Sequence, residues 1–291
     1  MNNLSQPIFE LRNGDCLQEM QSMTTESVDV VVTSPPYNLG IRYATFDDTA
    51  NRAEYLEWSV RWASEICRIL KPEGSFFLNV GAAPTNPLLP HQIALRFSDF
   101  FVLQNTLHWI KSITVCTPSG KTISTGHFKP INSYRFLTDC HEFIFHFTKT
   151  GNITINRLAV GVPYADKSNI KRWNHTNGDD VRCRGNNWFV PYETIKNRNK
   201  QRPHPATFPI RLASMCMQLH GVNSDSLVLD PFVGIGHAAL AAHECGVGNF
   251  IGIDIDKGYL AEAKARLETL GLNVKASRSR SNNNAIKNYK Y

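Results

Sequence analysis

Apolar residues along this chain recur with two periods, and the two alternate. Ile8-Phe9-Glu10-Leu11-Arg12 switches between apolar and polar, the pattern of a half-buried strand, and stops at the turn residues Asn13-Gly14-Asp15. Val28 to Thr33 is a run of β-branched residues broken only by Asp29, the composition of a strand covered on both faces. From Glu54 to Leu70 the spacing becomes helical. Tyr55, Trp58, Trp62, Ile66 and Ile69 share one face, and Pro72 and Gly74 are expected to end the helix. A stripe of this kind places both tryptophans in a core. Ser75 to Val80 reads as a second buried strand, so the segment is a βαβ unit with a parallel pair.

The pattern returns near the other end. Phe208 to His220 reads as a helix opened by Pro209, Leu227 to Asp230 as a short buried strand, and Gly234 onward as a helix. Asn249 to Asp254 is a strand and Lys257 to Leu270 a helix, which completes a second βαβ unit. Between the two units, Val102 to Ile110 and His141 to Thr148 are strands. In the second, Phe143, Phe145 and Phe147 alternate with Ile144 and His146, which suits a place near a sheet edge. His141 and His146 lack metal-ligand company and read as structural. Lys111 to Thr138 is rich in Ser, Thr and Gly, with lysines and no carboxylate, and reads as a flexible loop able to meet phosphates.

Charge changes the picture of the middle. From Arg157 to Arg202 ten basic residues stand against four acids, within a chain of 291 residues and net charge +6. Lys171, Arg172, Arg182, Arg184, Lys196 and Arg198 are interleaved with asparagines and with Trp173, Trp188 and Tyr192. Such an insertion suits nucleic acid: cations hold phosphates, amides read base edges, and aromatics stack or wedge. The expected organisation is residues 1–150 and 203–274 as two halves of one α/β domain, 151–202 as a basic region, which a family resemblance carried by motifs elsewhere in the chain implies is for target recognition, and 275–291 as a basic flexible tail. Seven scattered cysteines show no C-x-x-C pair and no Cys/His cluster at zinc spacing, so no metal is expected. No apolar run approaches the roughly 18 residues of a membrane span, and the first residues lack the features of a signal peptide, so a cytoplasmic protein is expected.

Two stretches carry candidate chemistry. After Thr33 the first buried strand runs into Ser34-Pro35-Pro36-Tyr37, and prolines make that tip rigid and extended. In an open α/β sheet, ligands bind outside the carboxyl ends of strands. Near the other end, Gly234-x-Gly236-x-x-Ala239 follows a strand, opens a helix and has Asp254 about 20 residues on, the fingerprint of a nucleotide fold. Asp230-Pro231-Phe232 precedes it. A carboxylate there suits an ammonium group and would repel a pyrophosphate. Asp256 rivals Asp254, but alternation puts Asp254 at the strand tip.

Thr33-Ser34-Pro35-Pro36-Tyr37 resembles the catalytic motif of DNA amino-methyltransferases, and Asp230 to Gly236 resembles their cofactor loop. His204-Pro205-Ala206-Thr207-Phe208-Pro209 resembles a third signature that precedes that loop. The order, catalytic motif first, is similar to the family's circularly permuted β-group, and the similarity covers residues 8 to about 150 and 203 to about 270. The resemblance implies a Rossmann-like methyltransferase sheet and S-adenosylmethionine as cofactor. Asp15, Thr207, Asp230, Pro231, Phe232, Gly234, Gly236 and Asp254 would surround it, with Phe232 on its adenosine end. It also implies a double-stranded DNA partner, a restriction-modification system in which an endonuclease can accompany the enzyme, and a monomer or homodimer.

The target amine would be exocyclic. Its lone pair is delocalised into the ring, so two acceptors aimed at its hydrogens, Ser34 Oγ and the Pro35 carbonyl, would favour the tetrahedral nitrogen that attacks the sulfonium methyl. Tyr37 would stack on the base, flipped out of the duplex. In the family, Ser at this position accompanies cytosine N4 more often than adenine N6, so N4-cytosine is the expected product and adenine N6 the alternative. A nicotinamide-dependent oxidoreductase would leave the Ser34–Tyr37 tip unexplained. A DNA-binding module without catalysis would show damage to that tip or to the cofactor loop, and both are intact. An RNA or protein methyltransferase is the nearer rival.

Overall fold

The structure, a computed structural model, describes residues 7–278 apart from 42, 44, 46–47, 127, 129–132, 171, 173–178 and 192–206. The strands are β1 (Ile8–Asn13), β2 (Val28–Thr33), β3 (Leu70–Val80), β4 (Val102–Ile110), β5 (Ser112–Cys116), β6 (Thr122–Gly126), β7 (His141–Thr148), β8 (Asn187–Phe189), β9 (Leu227–Asp230), β10 (Asn249–Asp254) and β11 (Val274–Arg278). The helices are α1 (Cys16–Gln21), α2 (Arg52–Ile69), α3 (Leu89–Phe97), α4 (Ile210–His220), α5 (His237–Glu244) and α6 (Lys257–Thr269).

Nine of the described strands form one sheet in the order β11-β1-β10-β9-β2-β3-β7-β4-β8, while β5 and β6 pair separately as a hairpin. Within the large sheet β7 runs antiparallel to both its neighbours, and every other pairing is parallel. Both expected βαβ units are present, since β2 pairs β3 and β9 pairs β10 in parallel. Strand alternation sends Val30, Val32 and Phe77 into one core with α4, α5 and α6. Val31, Phe76 and Leu78 face the other core with α1, α2 and α3. The result is a doubly covered α/β sheet, and among the described residues no helix is long and apolar enough to cross a membrane.

Four details depart from the sequence reading. Pro72 and Gly74 do not follow the end of α2. The helix already stops at Ile69, Leu70 is extended, and both residues lie in the opening of β3, where the register with β2 jumps from Val28↔Leu70 to Val30↔Ser75. β7 lies between β3 and β4, well inside the sheet. His146 gives it a polar, edge-like pattern, but the imidazole is fully buried, stacked on Phe77 at 4.4 Å and bonded to Ser75 Oγ and Asn105. The stretch read as a flexible loop contains the β5–β6 hairpin. The chain past Val274 pairs with β1 as far as Arg278, so residues 275–278, expected in the tail, belong to a strand, and the rest of that expectation lies outside the described residues.

Trp62 is fully buried, with ring centroids 5.0 Å from Phe97 and 5.5 Å from Phe232. The aromatic face of α2 is thereby tied to a loop that leaves β9. Trp62→Ala is expected to cost about 3–5 kcal/mol, the usual range for a large aromatic removed from a core. Urea unfolding monitored by far-UV circular dichroism measures it.

Candidate active site

The sheet changes direction between β2 and β9. These strands are neighbours, but the chain leaves β2 toward β3 and leaves β9 toward β10 on the opposite side. A crevice at the carboxyl ends is the geometric consequence. Thr33 closes β2 and Asp230 closes β9. Both are buried, and Thr33 Oγ1 donates to Asp230 Oδ1 at 2.6 Å. The Phe232 N–H donates to the same oxygen at 3.0 Å.

The Ser-Pro-Pro-Tyr tip leaves from Thr33. Pro35 is buried and Ser34, Pro36 and Tyr37 are half-buried. The Tyr55 hydroxyl on α2 donates to the Pro36 carbonyl at 2.7 Å, which anchors the tip from below. Asn38 then takes a left-handed φ of 55°, a conformation asparagine tolerates. The loop that follows is pinned by Asp48, 2 % exposed, whose carboxylate accepts from the N–H groups of Asn38, Leu39 and Ile41. Tyr43 in this loop lies near Asp254 and Tyr259, and burial, with the charge of Asp48, pushes its hydroxyl pKa up.

Tyr37 is held at its hydroxyl. Its oxygen is 2.7 Å from Ser34 Oγ, and it donates to Glu142 Oε2 at 3.1 Å. Asn79 Nδ2 donates to that same carboxylate oxygen at 3.0 Å, and Lys111 Nζ reaches the other at 3.2 Å. Glu142 stands at the start of β7, Asn79 near the end of β3, and Lys111 just past β4. Gly81 leaves room for the meeting: a Cβ there would lie 3.1 Å from the Glu142 side chain and 3.2 Å from the Tyr37 ring.

On the other side of the seam, the chain turns from β9 into α5 through Gly234 and Gly236, at φ of 50° and 86°. A Cβ at Gly236 would come within 2.9 Å of Ala263, so the loop packs against α6 only with glycine. Asp254 ends β10 and accepts from Gly234 N at 2.9 Å and Asp256 N at 2.8 Å. Asp256 is spent on capping α6, where it takes the N–H groups of Gly258 and Tyr259. Asp15 caps α1 in the same way, through Leu17 N and Gln18 N, and the Gly14 N–H before it donates to the Asp254 carbonyl at 3.1 Å. That bond seats the Asp15 turn beside the tip of β10.

Phe232 leans on Trp58 and Trp62, with centroids 5.6 and 5.5 Å away, and remains half-buried. Pro231 is buried. His237 Nδ1 donates to the Phe208 carbonyl at 2.7 Å, bringing the segment that contains Thr207 to the glycine loop. His204, Pro205 and Ala206 lie outside the described residues. The structure thus gathers Ser34 to Tyr37, Asp230 to Gly236, Asp254 and the Asp15 turn around one crevice.

Part of the basic region is built into the large sheet, since β8 pairs with β4 and Val160, Trp188 and Val190 join the core. Arg172 and Arg182 are exposed, while Arg184 is half-buried, with its Nε bound to the Val160 carbonyl at 2.9 Å. Lys171, Lys196 and Arg198, with Trp173 and Tyr192, lie outside the described residues. Trp188 corrects an expectation. It does not stand ready to stack on a base: it is 1 % exposed, packed in the core beneath β8, and its Nε1 donates to the Gly185 carbonyl. Sequence reasoning quoted Thr33 within the motif without assigning it a role, and missed Asp48, Asn79 and Glu142. A hydroxyl at the end of a buried β-branched run, and a lone carboxylate opening a phenylalanine-rich strand, were the available signals.

Burial dominates the acids on the cofactor side. Loss of solvent pushes Asp230 up to about 7, against the pull of its bonds from Thr33 and Phe232 and with the charge of Asp254 adding to the rise. Asp254 is pushed up to about 6, again mainly by burial, with Asp256 contributing.

A family model described as DNA methylase, of the N6/N4 methyltransferase type, matches residues 28–265. The Type II methyltransferase M.HpaI of Haemophilus parainfluenzae is 29% identical over 259 residues, covering 88% of this chain and 73% of that protein. The DNA adenine methyltransferase YhdJ of Escherichia coli is 25% identical over 268 residues, covering 88% of this chain and 81% of its own length. Among solved structures, the PvuII DNA methyltransferase (cytosine-N4-specific) superposes with a TM-score of 0.67 at 19% identity, covering 96% of this chain and all of that one. At that identity the likeness is one of fold.

The Asp230 carboxyl of the ligand-free protein is expected to titrate near neutrality, well above an ordinary aspartate. Thr33→Val removes a donor that favours the ionised form and should move the titration higher still. Carbon-13 NMR of the aspartate carboxyls across pH 5 to 8.5 reads both.

Proposed function

The chain belongs to the DNA methylase family, and from that premise we propose that it transfers the methyl group of S-adenosylmethionine to the exocyclic N4 amine of a cytosine flipped out of duplex DNA. The observation that carries this reading is the Thr33–Asp230 hydrogen bond of 2.6 Å. It sets the Ser34–Tyr37 tip directly beside the glycine loop, so a base at the first and a cofactor at the second share one crevice.

Each residue has a role in that reading. Ser34 Oγ and the Pro35 carbonyl accept from the amine as it becomes tetrahedral. The neighbouring Pro36 carbonyl is already engaged by Tyr55 and is left out. Tyr37, fixed at its hydroxyl, offers its ring to the base. Asp230 faces the cofactor's ammonium group, and Asp254 its ribose, from the end of β10. The loop with Gly234 and Gly236 approaches the cofactor through backbone, and the Asp15, Thr207, Pro231 and Phe232 positions border it. Direct in-line transfer then needs positioning and electrostatic stabilisation and no covalent enzyme intermediate. DNA lies along the basic insertion, where Arg172 and Arg182 are exposed. The adenine N6 amine is the second reading. It presents the same hydrogens to Ser34, and the relative YhdJ is named an adenine enzyme. Ser34 favours cytosine. A paired endonuclease and a cytoplasmic setting accord with this activity.

Mass spectrometry of nucleosides from DNA treated with the enzyme and S-adenosylmethionine is expected to show N4-methylcytosine. N6-methyladenine alone would replace the base and leave the reaction class standing. Ser34→Ala should lower kcat about tenfold to a hundredfold while cofactor affinity is kept, because the lost acceptor matters most in the transition state.

Cofactor binding is expected to depend on pH. At pH 6 the free protein is expected to hold Asp230, raised to about 7, mostly protonated and Asp254, raised to about 6, about half protonated. A cation beside them favours their ionised forms, so binding releases those protons. Affinity should therefore rise as pH rises through these values, by about tenfold between pH 6 and pH 8. Calorimetric titration in buffers of different ionisation enthalpy measures both affinity and proton release.

A further inference from the structure

The acceptor role of Ser34 leaves a question that the proposed function does not answer. A hydroxyl is both donor and acceptor, and its hydrogen rotates to suit. A serine that points its hydrogen at the amine nitrogen would hydrogen-bond the lone pair that must attack. The tip has a device that prevents this. Tyr37 Oη carries one hydrogen and donates it to Glu142 Oε2 at 3.1 Å. In its 2.7 Å contact with Ser34 Oγ, the Tyr37 oxygen can therefore only accept. The Ser34 hydrogen is committed to Tyr37, and the Ser34 lone pairs are left for the amine.

We propose that Glu142 is a positioning residue for methyl transfer, fixing through Tyr37 the direction of the Ser34 hydroxyl so that it meets the target amine as an acceptor. The inference rests on the proposed function. No proton changes hands, since Glu142 acts by holding one hydrogen and thereby orienting a second. Its surroundings suit the task. Lys111 Nζ and Asn79 Nδ2 both donate to the carboxylate, one to each oxygen, with the Glu142 and Lys111 side chains only 12% and 17% exposed. Three donors from three separate strands or their ends converge on a group that can only accept. The side chain is thus held in one place, and the direction of every hydrogen in the chain follows from its charge.

The arrangement also separates two functions of Tyr37. The ring stacks and the hydroxyl orients. Tyr37→Phe keeps the first and deletes the second. Glu142→Gln keeps the shape but replaces one accepting oxygen by an amide nitrogen, so Tyr37, Asn79 and Lys111 can no longer all donate to it in place.

The test uses the full chain, tritiated S-adenosylmethionine and unmethylated bacterial genomic DNA. Tyr37→Phe and Glu142→Gln are each expected to lower kcat about tenfold. KM for DNA and the calorimetric affinity for the cofactor should stay within about twofold, because both variants keep the Tyr37 ring for stacking and the lost orientation matters most as the amine becomes tetrahedral. The double variant should be no slower than the slower single one, since both remove the same orientation. Tyr37→Phe with wild-type turnover would overturn the proposal, as would losses that multiply in the double variant. A Glu142 that merely supports the fold would instead lower the melting temperature and cofactor affinity, and would leave Tyr37→Phe fully active. If the wild-type chain transfers no methyl group to DNA, it is the proposed function that fails, a result distinct from each of these.

Discussion

The active site depends on one hydrogen bond between two residues that are far apart in sequence. Thr33 and Asp230 end adjacent parallel strands, and their side chains meet in a place without water. The same Asp230 oxygen also accepts from the Phe232 N–H. An unpaired buried hydroxyl or carboxylate costs several times what a paired one contributes. The bond therefore does more than add stability. It joins two strand tips, and each tip leads into one of the two stretches proposed to carry the chemistry: Ser34 to Tyr37 on one, the glycine turn on the other. The raised Asp230 pKa is the counterpart of that placement, because a carboxylate held in the seam has lost its solvent.

Much of this was legible because the relevant signals are local. The run from Val28 to Thr33 contained its own end point, since two prolines cannot continue a ladder. Asp254 was separable from Asp256 by alternation alone, and the structure gives the reason: one ends the strand beneath Gly234, and the other is consumed by a helix cap. Tryptophans at helical spacing packed into a core as their period required.

What the sequence hid was long-range or disguised. Glu142 meets Tyr37 across 105 residues, and nothing in the strand pattern of either names the other. Strand order would have been needed, and the antiparallel insertion of β7 between β3 and β4 is not encoded in local periodicity. His146 disguised an interior strand as an edge because its polarity is satisfied internally by Ser75 and Asn105. Trp188 misled in the opposite direction. Surrounded by arginines and asparagines in sequence, it drew its role from its neighbours along the chain, whereas in space it fills the core under β8.

The pairing of β1 has a consequence for how this molecule is made. Its hydrogen-bonded neighbours are β10 on one side and β11 on the other. β1 thus leaves the ribosome ahead of both partners, the nearer of which follows it by 241 residues (Ile8 to Asn249). Loop closure on that scale is slow, and an apolar strand with open edges is a template for wrong pairings in the meantime. Phe9 and Leu11, both buried at the end, are exposed throughout that wait. The crevice likewise cannot exist in a nascent chain, because its second wall arrives last. The late arrival of β9 and β10 joins β1 to the rest of the sheet and brings the two walls of the crevice together in one step.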